Sequence, residues 1–265
     1  MNVFFIELKS NFKSLIIWCC AQFFVIFAGT MKYQGFSSSG VDVNKLLESF
    51  PKALMTVFGI GSVDLSKVAG FYSVFFLYFM LLAAVHAIMF GAVIVSKEER
   101  DHSADFLFSR PVKRYQVITS KLLAGVVNIL VFNLVTFAAS VFFIAKYNNG
   151  DAMIDKIAIT MVALFVIQLF FLALGAMLGA LLKTTKIATS TAAGIIMGTF
   201  FISVAVDLND KLAFLKYLTP FKYFEGKMLV IDGRISLSSM GILLVLTIIF
   251  TTIAYILFNQ RDLTT

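Results

Sequence analysis

"SKEERDHSADFLFSRPVKRYQVITSK", Ser96 to Lys121, concentrates ten charged residues in a chain that is 60% hydrophobic and only 14% charged. Lys97, Arg100, Arg110, Lys113, Arg114 and Lys121 are interleaved with Glu98, Glu99, Asp101 and Asp105. Apolar runs adjoin the stretch on both sides, 71–95 before it and 122–145 after it. Each is long enough for a helix to cross a hydrocarbon core about 30 Å thick, which takes about 20 residues. The stretch is therefore a polar link between two membrane spans.

Four further runs of this kind lie outward from it, roughly 15–29, 157–182, 187–206 and 238–258. Thirty phenylalanines and a mean hydropathy of +0.92 exclude an ordinary soluble domain. Backbone polar groups have no partner in lipid except within a helix or a closed barrel, and the alternating ten-residue pattern of barrel strands is not seen. The expected fold is all-α: a polytopic membrane protein of six transmembrane helices in a single domain over 1–265. A cleaved leader fits the first run poorly, because Glu7, Ser10, Asn11 and Ser14 precede it and no clear small-x-small site follows. Cys19 and Cys20 are adjacent, so they point about 100° apart on a helix and read as packing residues rather than a disulfide or metal site.

Six spans put both termini on one side. Lys and Arg are equally numerous on the two sides, 11 each, but they fall in 51 residues on the terminal side and 83 on the other. The densest cluster is Ser96–Lys121 itself, which places that segment and the termini in the cytoplasm by the positive-inside rule. The net charge of +7 suits a protein among anionic lipids and indicates no nucleic acid.

Outside the spans, "MNVFFIELKSNFKSLI" puts Phe5, Leu8, Phe12 and Leu15 on one helical face and Glu7, Ser10 and Ser14 on the other. This predicts an amphipathic helix lying in the interface ahead of the first span. The loop 30–70 is too long for a simple connector and predicts short helices broken at Pro51 and Gly59–Gly61, forming an ordered cap on the outer face. The segment 207–237 mixes Phe and Tyr with Lys and predicts re-entrant helices at headgroup depth. Gly175 with Gly179 and Gly194 with Gly198 are small-xxx-small pairs, which serve helix packing within the chain or across a dimer.

Catalytic patterns are missing from the sequence. Two histidines occur, His86 in a span and His102 in the charged link, without an HExxH motif, so no catalytic or metal site is expected. The spans hold no mid-membrane carboxylate of the kind an ion-coupled transporter uses. His86 is the one ionisable residue at depth, read either as part of a translocation path or as a neutral group bonded to a neighbouring helix. Asn133, Thr136 and Ser140 share one side of the third span, where a polar path and interhelical hydrogen bonding explain them equally well. No GxxxxGK[ST] loop is present, so the chain does not hold ATP in the P-loop manner.

The charged link itself can form a short helix. Glu98 and Glu99 suit its N-terminus, Pro111 stops it, and Ala104, Phe106, Leu107 and Phe108 supply an apolar side for a partner's groove. Mixed charges around such a helix would orient it at an interface; the competing reading is a solvated turn.

The stretch resembles the cytoplasmic signature of six-helix permeases of ATP-binding-cassette exporters, the sodium-export and bacitracin-resistance type. Glu98, Phe106-Leu107-Phe108, Pro111-Val112-Lys113-Arg114 and Lys121 stand in matching spacing, with His102-Ser103 where the family has Gly-Thr. "ESFPKALMTVFGIGSVDLSKVAGF" (48–71), "YLTPFKYFEG" (217–226) and "FNQRDL" (258–263) resemble further hallmarks in the same order.

The resemblance implies an N-terminal elbow helix and a cytoplasmic coupling helix within Ser96–Lys121, seated in an ATPase. It implies two permease copies, as a homodimer, with two ATPase chains that carry the ATP and Mg, none of which is bound by this chain. Glu98 and Asp105, with Phe106 and Leu107, are implied to contact the ATPase. Pro111 and Arg114 would set and lock the turn, and Lys121 would anchor the next span near lipid phosphates. The implied location is the plasma membrane, a bacterial inner membrane. Abundant Phe and Met with no mid-membrane charge favour a hydrophobic or amphipathic cargo, such as a peptide, antibiotic or lipid-like molecule, moved outward. The rival classes are an ATP-independent channel or carrier, and a membrane anchor for a soluble partner.

Overall fold

The computed structural model describes residues 3–38, 50–51, 55, 60, 63–100, 113–147, 153–182 and 184–260, without the side chains of 98–100 and 210. Six helices in it are long and apolar enough to cross a membrane, and no strand occurs among the described residues. They are α1 (Val3–Ser38), α2 (Val68–Arg100), α3 (Arg114–Ala145), α4 (Met153–Leu181), α5 (Thr185–Leu208) and α6 (Leu237–Gln260). Each expected span lies within one of them, apart from Leu182, one residue past the end of α4.

α2 and α4 form the centre and pack against each other more extensively than any other pair. Lipid gives helices no hydrophobic reason to associate, so close contact depends on shape. Glycine supplies that shape here. A methyl group on Gly175 would stand 2.1 Å from the carbonyl oxygen of Ile88, and one on Gly91 would stand 2.3 Å from that of Leu172. The small-residue pair in the fourth span thus serves packing within the chain. α1 and α3 pack together on one side of this centre; α5 lies against α2, and α6 against α4. In α5 the pair Gly194 and Gly198 faces open space.

The first helix differs from expectation. The segment ahead of the first span is no separate interfacial element; it forms the opening turns of a continuous 36-residue helix. Its faces do not divide as expected: Glu7 and Leu15 are buried and Leu8 is half-buried, whereas Ser10 and Ser14 are exposed. Phe5 is 64% exposed and Phe12 59%, whereas Glu7 is only 3% exposed. Glu7 turns inward because it finds ionic partners in the bundle, and Phe5 and Phe12 are left on the outer surface, where an apolar side chain suits lipid.

At the end opposite the termini, 207–237 is an ordered segment that differs from expectation. It consists of 3₁₀ turns at Asp210–Tyr217 and Pro220–Lys222 and a π turn at Lys227–Ile231, in place of re-entrant α-helices. Phe221, Phe224, Leu229 and Val230 are buried, and Phe221 meets Phe171 of α4 and Phe200 of α5. The short helices expected around Pro51 and Gly59–Gly61 lie mostly outside the described residues.

The glycine crossing yields a paired prediction. Gly175→Ala should destabilise the protein by about 1–3 kcal/mol through overpacking. Gly194→Ala should be neutral or stabilise by up to about 1 kcal/mol through helix propensity. Thermal unfolding in detergent separates the two; equal effects would contradict the crossing.

Candidate functional site

The charged link leaves from the end of α2 and returns at the start of α3. Residues 101–112, with His102, Asp105, Phe106, Leu107 and Pro111, lie outside the described residues, as does the side chain of Glu98. Both roots of the link are described, and each is bonded to other helices.

On the α2 side, Lys97 Nζ donates to Glu7 Oε2 of α1 at 2.5 Å and to Ser10 Oγ at 3.2 Å. One residue earlier, Ser96 Oγ lies 3.0 Å from Thr185 Oγ1, which donates to the Ser96 carbonyl at 2.9 Å. Thr185 opens α5, whose first turn is capped by the side chain of Thr184. Sequence neighbours on α2 therefore hold α1 and α5.

On the α3 side, Lys113 and Gln116 form the start of the helix: the Lys113 N–H donates to Gln116 Oε1 at 3.2 Å and the Gln116 N–H to the Lys113 carbonyl at 2.9 Å. Arg114 Nη1 donates to the carbonyl of Asn259 at 3.1 Å, and Thr119 and Tyr255 share a hydroxyl–hydroxyl bond of 2.7 Å. Both contacts reach the last turns of α6.

Lys121 corrects the expectation that it faces lipid phosphates. It is 0% exposed, and its ammonium donates to Glu7 Oε1 at 3.0 Å and to the carbonyl of Ile94 at 2.6 Å. The carboxylate of Glu7 thus binds one lysine from each root of the link, and Asn11 donates to the Glu7 carbonyl at 2.8 Å. A buried charge needs such partners, because leaving water costs several kcal/mol per ion unless attraction and hydrogen bonds offset it. Local sequence pattern gives Lys97 no role beyond its charge and puts Glu7 on the polar side of its helix. The available signal was a lone acid in an apolar helix, which calls for a paired cation.

The deeper polar residues lie elsewhere, within the bundle. His86 is 1% exposed, stacked on Phe132 with centroids 4.8 Å apart and flanked by Trp18 and Phe90. Asn133 donates to Gln168 of α4 at 3.0 Å, and Thr136 bonds back to the Phe132 carbonyl of its own helix. Ser140 is buried and faces Tyr72 of α2. The structure brings these four residues to the buried interior of the bundle, well away from the roots of the link.

A family model described as ABC-2 family transporter protein matches residues 1–263. The chain belongs to the ABC-2 family of transporter proteins. None of the curated proteins compared with it matches. As an ABC-2 permease it is a membrane subunit of an ABC transporter, a class whose members work with ABC ATPases.

Glu7→Gln in this permease should lower stability by about 3–5 kcal/mol, because it leaves two lysines without their acid. Lys97→Gln should cost less, since its side chain keeps 16% of its exposure. A double-mutant cycle of Glu7→Gln with Lys121→Met, followed by thermal unfolding, should show a coupling energy above about 1 kcal/mol. Additivity within about 0.5 kcal/mol would contradict the pairing.

Proposed function

We propose that this permease is the transmembrane half of an ATP-driven exporter in the cell membrane, with Ser96–Lys121 and both termini in the cytoplasm. Two copies pair as a homodimer and engage two separate ATPase chains, which bind the ATP and Mg. The link between α2 and α3 seats on the ATPase through Glu98, Asp105, Phe106 and Leu107, and Pro111 with Arg114 sets its return.

The observation that carries this reading is the bonding at the two roots. A displacement of the link acts on α1 through Glu7, on α5 through Thr185 and on α6 through Asn259 and Tyr255. α2 and α4 move with it as a body joined at the glycine crossing. ATP-driven closure of the ATPases then shifts the bundle from inward to outward access, provided the ATPase binds the two permease states with different free energy. Arg114 ties the link to α6, and Lys121 ties it to α1. The cargo is hydrophobic or amphipathic, in keeping with spans that hold no carboxylate at depth.

Affinity purification of the tagged chain from its native membranes in mild detergent tests the assignment. A P-loop ATPase should accompany it in about one-to-one ratio, and Glu98→Arg should reduce that recovery severalfold while membrane insertion stays normal. Recovery of no nucleotide-binding partner, or undiminished recovery with Glu98→Arg, would overturn the coupling role. Sodium flux in vesicles that follows ATP hydrolysis would overturn the cargo class.

A further inference from the structure

At the end of the bundle opposite the termini, a cavity of about 310 Å³ opens between α2, α5 and the 220–227 turns. Its volume is near the lower limit of ligand sites. It equals about ten water volumes, room for a stretch of one alkyl chain but not for a whole lipid. Its lining is mixed: apolar side chains such as Leu77, Phe200 and Val204 stand beside Ser203 and the charged groups, with the buried Phe76, Met80, Phe221 and Phe224 packed behind them. Gly226 holds the turns against α2 so closely that a methyl group there would stand 2.0 Å from the Ser73 carbonyl oxygen.

The mouth is charged. Lys222 Nζ pairs with Asp207 of α5 and lies 3.3 Å from Glu225 Oε1. The lysine side chain is only 12% exposed, whereas the two carboxylates face outward at 37% and 55%. A carboxylate accepts several hydrogen bonds, so Asp207 and Glu225 retain capacity beyond what one ammonium uses. Lys227 also lines the cavity. The outward carboxylates match an ammonium headgroup, and the phosphate beside it would stand near Lys222.

The end of α5 and the turns that follow it carry exposed apolar side chains at Phe201, Leu208, Phe214 and Leu218. Lys216 lies over the ring of Tyr217 at 5.0 Å, a pairing suited to headgroup depth. Exposed apolar surface of this kind on a membrane-spanning bundle meets lipid. We propose that the cavity is a binding site for one phospholipid with a primary-amine headgroup, an acyl chain inside and the phosphoethanolamine at the Asp207–Lys222–Glu225 mouth. This goes beyond the exporter assignment and stands whether or not an ATPase drives the permease.

Native mass spectrometry of the purified full chain, titrated with phosphatidylethanolamine, phosphatidylcholine and phosphatidylglycerol of identical acyl chains, tests it. One phosphatidylethanolamine should be retained about tenfold more strongly than phosphatidylcholine, whose quaternary ammonium has no N–H to donate. Asp207→Asn combined with Glu225→Gln should erase that preference. Ser203→Phe, or Val204→Trp should the first variant not fold, fills the cavity and should abolish retention of the lipid. Variants are compared at matched melting temperature. Equal retention of all three lipids, strongest retention of phosphatidylglycerol, or a preference that survives the filled cavity would each overturn the proposal. So would a lipid-free dimer whose second copy occludes the mouth.

Discussion

A carboxylate buried between two ammonium groups organises the terminal end of this bundle. Glu7 is the acid, and Lys97 and Lys121 come from the two helices that bracket the charged link. An unpaired charge is costly in this low-dielectric setting, most of all for the fully buried Lys121, so the ends of α1, α2 and α3 are held as one unit. Bonds of Ser96 to Thr185 and of Arg114 to Asn259 extend the same junction to α5 and α6. The link is therefore fixed to the bundle at both roots, which is the mechanical condition for a force on it to reach the helices.

The rest of the structure divides around this junction. α2 and α4 meet backbone to backbone at Gly91, Gly175 and Gly179, an arrangement with little freedom to slide. α5 and α6 are far less enclosed and present rows of exposed apolar residues such as Met197, Phe201, Ile248 and Ile256. A stiff centre with loosely covered flanks suits a membrane subunit that meets lipid and further chains through its periphery. The ordered segment 207–237 covers the opposite end through buried aromatic side chains and the Asp207–Lys222–Glu225 ion pairs.

The helices were legible in the sequence because lipid permits few alternatives: a run of about 20 apolar residues has to be helical there. Gly175 and Gly179 were legible for a similar reason, since small residues four apart mark close approach. The junction was not. Glu7 is 114 positions from Lys121 and 90 from Lys97, and local periodicity carries no information about such pairs. The amphipathic pattern of residues 3–15 was visible, but the side taken by Glu7, Phe5 and Phe12 was not, because it depends on where Lys97 and Lys121 lie. A carboxylate gains from turning inward only where ammonium groups from other helices await it. His86 and Asn133 were recognised as polar groups at depth, and their partners Phe132 and Gln168 emerge only from helix packing.

Hydrogen–deuterium exchange of the full chain in detergent, with and without Glu7→Gln, tests the central claim most directly. If one carboxylate holds both roots, the substitution raises exchange together in the last turns of α2 and the first turns of α3, and leaves the α2–α4 crossing protected. A rise at one root alone, or at neither, would contradict the account.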